Sequence, residues 1–184
     1  NILADTHYRR SLALRNSVNY FEAEAALRRA IELQPGNARY YFELGELNSR
    51  DSTSRTAAIQ SYRKGLEVAG NSLDSASMLA ALYKLGMLYQ QAGDHANAIR
   101  SLRSVHQAQP NYKPGLVDSL AQSMAALARE NESRNRPLAI QSLRQALEIK
   151  PADGALRFEL GRLLLEGGDL EAAREQLEQL AAKD

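Results

Sequence analysis

Small and large apolar residues recur along this chain at spacings of four and three, the steps that keep side chains on one stripe of an α-helix. Ala23, Leu27 and Ala30 form one such stripe, closed by Pro35. The same order returns at Ala98, Leu102, Val105 and Pro110, and at Ala139, Leu143, Ala146 and Pro151. A weaker copy runs Ala58, Tyr62, Gly65 and Gly70, and a truncated one Ala173, Leu177 and Leu180. Proline stops a helix because it has no amide hydrogen to donate and its ring clashes with the preceding turn. The small residues on each stripe predict a second helix in close approach.

A second pattern lies upstream of these helices: Leu44-Gly45, Leu85-Gly86 and Leu160-Gly161, with Leu120-Ala121 as a looser copy. Glycine inside a helix costs about 1 kcal/mol against alanine, so its recurrence needs a reason, and close helix–helix packing supplies one. Gly86 to Ala98 and Gly161 to Ala173 are both separations of 12 residues, with Gly93-Asp94 and Gly168-Asp169 at matching places between. Glycine permits the backbone shape that ends a helix, and aspartate caps the next one. Gly93-Asp94-His95 therefore reads as a turn between helices rather than as a catalytic corner.

Helix–turn–helix units of about 34 residues with this small/large pattern and closing proline resemble tetratricopeptide repeats. The stretches LYKLGMLYQQAGDHANAIRSLRSVHQAQP and LRFELGRLLLEGGDLEAAREQLEQL carry the resemblance best, followed by YYFELGELNSRDSTSRTAAIQSYRKGLEVAG. About five repeats span nearly the whole chain. The resemblance implies an all-α fold, a right-handed α-solenoid of antiparallel helix pairs, with 1–184 as a single repeat domain. Its approximate units are 1–37, 38–72, 73–112, 113–153 and 154–184.

The departures from that spacing are informative. Six extra residues around GNSLDSASM are expected to lengthen the helix leading to Gly86 by more than a turn. Between Ala121 and Ala139 there are 18 residues instead of 12, and the excess falls in ARENESRNRP. That segment is either a protruding loop or the end of an overlong helix, and Pro137 suits the first turn of the helix that follows. Ala4, Tyr8 and Ser11 mimic a second-helix stripe, yet their place before Val18-Asn19-Tyr20 requires a first helix, which we assign to residues 1–15.

Composition narrows the function classes. Of 184 residues, 44% are hydrophobic, 24% charged and only 6% aromatic, an ordinary globular balance that leans to helix. The formal charge is +1, from 23 basic and 22 acidic residues, and the sequence has no continuous basic stripe; both argue against phosphate neutralisation, so no nucleic-acid partner is expected. There are no cysteines, which removes disulfides, zinc–thiolate sites and thiol catalysis together. No apolar run approaches the about 20 residues of a membrane-spanning helix, so no direct membrane insertion is expected. The chain opens at Asn1 without a charged-then-apolar leader, and we expect it to be a piece of a longer or processed chain. Its arginine-over-lysine bias suits a bacterial cytoplasmic or periplasmic protein.

Candidate chemistry is sparse. His7, His95 and His106 are the only histidines, and none sits with other ligand types at helical spacing. Neighbouring carboxylates such as Glu22 with Glu24, or Glu171 with Glu175, lie beside arginines on amphipathic helices, the pattern of exposed ion pairs. General acid–base work needs carboxylates converging across a cleft. No nucleophile elbow, metalloprotease helix or phosphate-cradling loop is present. We expect no catalytic residue, no metal and no cofactor.

What remains is surface. The resemblance implies a concave groove lined by the first helix of each pair. Three residues before each key glycine stand Phe42, Tyr83 and Phe158, with Asp118 in the fourth unit; one residue beyond stand Glu46, Met87 and Arg162, with Gln122. Arg39 and Gln90 lie on the same stripe. In the family this stripe commonly contacts an extended or helical peptide, and aromatic anchors there would carry much of the binding energy. Family members that clamp a chaperone's terminal carboxylate use lysines and asparagines, where this chain has Glu46, Met87 and Asp118, which argues against such a ligand. The leading expectation is a non-catalytic scaffold that holds a protein or peptide. The alternatives are the repeat region of a larger bacterial envelope machine, for polysaccharide synthesis, ligation or export or pilus assembly, or a substrate-feeding module of a transferase. Self-association through the terminal repeats is a further expectation.

Overall fold

The computed structural model describes residues 1–70 and 74–181. Among these the chain forms ten α-helices and no strand: α1 (Ile2–Asn16), α2 (Tyr20–Leu33), α3 (Ala38–Asn48), α4 (Arg55–Ala69), α5 (Ser75–Gln91), α6 (His95–Ala108), α7 (Leu116–Asn131), α8 (Arg136–Ile149), α9 (Gly154–Glu166) and α10 (Leu170–Ala181). A short 3₁₀ turn at Ser52–Ser54 precedes α4. The helices that the apolar stripes predict are all present, and the fold is all-α.

Local chemistry sets the helix starts. Asn19, Asn37, Asp74, Asp94, Asn135 and Asp153 each accept a hydrogen bond from a backbone amide of the first turn, satisfying donors that have no partner inside the helix. Helices α2, α6 and α8 end at Leu33, Ala108 and Ile149, each two residues before a proline. Gly93 and Gly168 take φ of 77° and 83°, and His95 is merely the first residue of α6, so the Gly-Asp-His triplet is a turn.

The chain divides into two compact units, Asn1–Ala92 and Gly93–Asp184. In the first, α1 packs on α2, α2 on α3, α3 on α4 and α4 on α5. Its core is Ala4, Tyr8, Ala23, Leu27, Ala30, Tyr40, Leu44 and Leu47, so residues 2–16 do serve as the first helix of a pair. In the second unit α6 packs on α7, α7 on α8, α8 on α9 and α9 on α10, and Leu116, Leu120, Met124, Leu143 and Leu160 are fully buried.

The key glycines mark close approach. A Cβ on Gly45 would lie 2.7 Å from the Tyr62 ring of α4, and one on Gly161 would lie 2.9 Å from the end of Leu177 in α10. Both irregular spacings resolve into longer first helices. Helix α5 starts 11 residues before Gly86, whereas α3 and α9 start 7 before their glycines. That is the added turn expected at GNSLDSASM, of which Asn71, Ser72 and Leu73 lie outside the described residues. Helix α7 continues to Asn131, so ARENESRNRP is the end of an overlong helix followed by a short turn, with Pro137 in the first turn of α8.

Candidate binding surface

In the first unit, α3 and α5 are the first helices of successive pairs, and between them opens a cleft of about 260 Å³ floored by Tyr62 of α4. Phe42, Glu43 and Glu46 line it from α3; Ser77, Ala80, Ala81 and Lys84 line it from α5. Phe42 is half-buried, its ring 6.2 Å from that of Tyr62 and in contact with Gly65, which has no side chain to obstruct it. At one end Lys84 Nζ stands 3.0 Å from Glu46 Oε2, and the Tyr62 hydroxyl donates to the same oxygen at 3.0 Å. Beside them Arg15 Nη1 donates to Glu43 Oε2 at 2.6 Å.

These partners set the protonation of the cleft. Burial pushes the Glu46 carboxyl up, but the Lys84 ammonium and the Tyr62 hydroxyl outweigh it and hold Glu46 below the usual carboxylate range. Burial, and then the Glu46 charge, pushes the Tyr62 hydroxyl far above its ordinary value. At neutral pH the cleft thus holds an ionised pair and a neutral phenol.

The sequence-derived stripe is distributed as follows. Phe42 and Glu46 meet in the cleft. Arg39, at the start of α3, lies with its guanidinium 5.0 Å over the Tyr8 ring. Tyr83, Met87 and Gln90 are half-buried on α5 and do not line the cleft. In the second unit Asp118 and Gln122 are exposed on α7, and Lys150 Nζ lies 2.9 Å from Asp118 Oδ1. Phe158 is 54% exposed on α9, with exposed Leu165 two turns further along. Arg162 donates to Glu132 at 2.6 Å and to Glu166 at 2.8 Å, so two carboxylates already compensate its charge.

Sequence reasoning missed Glu43, Tyr62 and Lys84. Tyr62 was visible as a stripe residue but belongs to a second helix. Lys84 reaches Glu46 across 38 positions, and only its opposite charge hinted at the pairing. The overlong end of α7 also acquired a role: Arg129 donates to Glu159 of α9 while Glu132 receives Arg162, two pairs of opposite polarity one helical step apart. Glu130 of the same stretch lies 3.7 Å from His95 Nε2. Among the described residues no group of three or more His, Asp or Glu side chains is placed to hold a metal, and no helix is long and apolar enough to cross a membrane.

Three tetratricopeptide repeat family patterns match the chain, at residues 8–67, 80–112 and 132–184. The chain belongs to the tetratricopeptide repeat family. Solved structures share the repeat fold. MamA from Desulfovibrio magneticus RS-1, from its residue 41 to its end, is 16% identical, with 99% of this chain and 95% of that chain covered at a TM-score of 0.53. YrrB, a TPR protein with an unusual peptide-binding site, is 17% identical over 95% of this chain and 82% of that one, with a TM-score of 0.57. A tetratricopeptide repeat protein from Parabacteroides merdae is 17% identical over 100% of this chain and 67% of that one, at 0.56. At these identities the likeness concerns the fold alone. No curated protein matches the chain. Tetratricopeptide repeats serve as protein–protein interaction modules, so the chain is an interaction module of that kind.

Proposed function

We propose that this repeat domain is a non-catalytic scaffold that holds a segment of a partner protein along the first helices of its pairs. The observation that carries the reading is the cleft between α3 and α5, where the predicted stripe residues Phe42 and Glu46 converge in a largely apolar cleft open to solvent. Phe158 on α9, an aromatic at the corresponding position and more than half exposed, supports it from the second unit. The peptide-binding site of YrrB, a protein of this fold, is consistent with it. Affinity in such surfaces comes from a few buried anchors rather than from total area, which gives the aromatic positions their weight. The near-neutral charge balance favours a protein ligand over a nucleic acid.

Phe158 is the cleaner position for a test, because Phe42 also packs on Gly65 and its loss would leave a void. Phe158→Ala combined with Gln122→Arg is expected to weaken capture of a partner from a lysate of the source organism by about tenfold or more, with the circular dichroism spectrum unchanged. Undiminished capture by this variant would place the binding surface elsewhere.

A further inference from the structure

The cleft in the first unit has two properties that narrow what it accepts, on the reading above that this face takes a protein segment. Its charges are internally compensated. Glu43 is paired with Arg15 and Glu46 with Lys84, while the Tyr62 hydroxyl is spent on Glu46. A charged group entering here would lose its water without meeting an unpaired opposite charge. An apolar group loses nothing and gains contact with the rings of Phe42 and Tyr62. The second property is size. About 260 Å³ is below the about 300–1,000 Å³ of sites that take whole drug-sized ligands, and suits one large side chain.

One wall of the cleft is peculiar to this chain within its own repeats. Ser77 belongs to the turn that α5 has and α3 and α9 lack, and the small side chains of Ala80 and Ala81 line the cleft about one turn further along the helix. A short helix like α3 would leave the cleft open on that side. A bulky residue at position 80 or 81 would fill it.

We propose that this cleft is a socket for a single leucine or phenylalanine side chain presented by an extended segment of a partner protein, and that the added turn of α5 builds it. The Glu46–Lys84 pair forms the polar rim that rejects charged side chains, and the segment's backbone stays outside in water.

The test uses the whole chain and blocked pentapeptides, acetyl-Gly-Ala-X-Ala-Gly-amide, with X as Leu, Phe, Ala, Lys or Glu at millimolar concentration. Alanine-methyl NMR reads the site directly at Ala80 and Ala81. The Leu and Phe peptides are expected to shift both methyl signals saturably, and the Ala, Lys and Glu peptides to leave them in place. Ala80→Phe, at an exposed helix position, is expected to remove the response with helicity unchanged. Ser77→Leu should do the same from the added turn if Ala80→Phe disturbs folding. Lys84→Met leaves Glu46 without its cation and should admit the Lys peptide. Equal or stronger shifts with the Lys or Glu peptide on the unaltered protein would overturn the socket. So would shifts confined to resonances of α9, or no shift with any peptide. None of these three results bears on the capture experiment at Phe158, so failure of the socket and failure of the scaffold reading are told apart.

Discussion

At the scale of single residues, the turns between helices show how one backbone shape can be met with different side chains. Gly93 and Gly168 adopt left-handed φ at no steric cost. In the equivalent turn between α1 and α2 the same role falls to Val18, with φ of 63°, the only such non-glycine among the described residues. A β-branched residue in this region carries a strain of about 1–2 kcal/mol or more, and Val18 is 66% exposed, so burial returns little of it. Replacing valine by glycine also raises the entropy of the unfolded chain, which takes back about 0.5–1 kcal/mol. Val18→Gly is therefore expected to stabilise the first unit by about 0.5–1 kcal/mol, read as a thermal midpoint a few degrees higher. An unchanged or lower midpoint would show that the left-handed turn is not strained in solution.

At the scale of elements, helix pairs are held by missing side chains as much as by present ones. Gly45→Ala improves helix propensity by about 1 kcal/mol, but the new methyl overlaps the Tyr62 ring at 2.7 Å. That ring is buried and tethered through its hydroxyl to Glu46, so it has no free rotamer to take. Overpacking of this kind costs about 1–3 kcal/mol, and Gly45→Ala is expected to be net destabilising by about 1 kcal/mol. Gly161→Ala meets Cδ2 and Cγ of the half-buried Leu177 at 2.9 and 3.0 Å, an aliphatic side chain with no hydrogen bond to hold it in place, and is expected to be less destabilising than Gly45→Ala. Chemical denaturation of the two variants side by side decides it, and equal effects would mean that the rings and rotamers do not govern the pairing. The two long first helices are the elements that depart from the repeat. Helix α7 spends its extra length on the reciprocal ion pairs to α9, and α5 spends its own on one wall of the cleft.

For the molecule as a whole, the sensitive variable is acid. Glu46 is held below the usual carboxylate range when folded, so its ionised pairing favours the folded state fully above the ordinary value of 4.5. That contribution is lost as pH falls through the lower folded value. Thermal stability is expected to be flat from neutrality down to about that ordinary value and to fall below it. Glu46→Gln, tethered less strongly to Lys84, should start lower at neutral pH and show a shallower acid limb. A limb of unchanged steepness would mean that Glu46 does not contribute to it.

The number and type of the helices and most of their ends were legible in the residues alone, because stripe spacing, asparagine and aspartate caps, and terminal prolines are local signals acting within a few positions. Ala23, Leu27, Ala30, Leu44 and Gly45 are buried where their periodicity places them. For the overlong α7 the choice between loop and helix stayed open, since nothing local forbids a polar helix end; the partners on α9 decide it. The stripe residues Phe42 and Glu46 were also legible, but the cleft they line was not. Its other wall comes from α5, and Lys84 meets Glu46 only because the packing of α3, α4 and α5 brings them together. Periodicity by itself determined which faces are buried, since a helix projects its residues at a constant angle. Which exposed residues converge depends on how whole helices are offset against one another, and only the tertiary structure decided that.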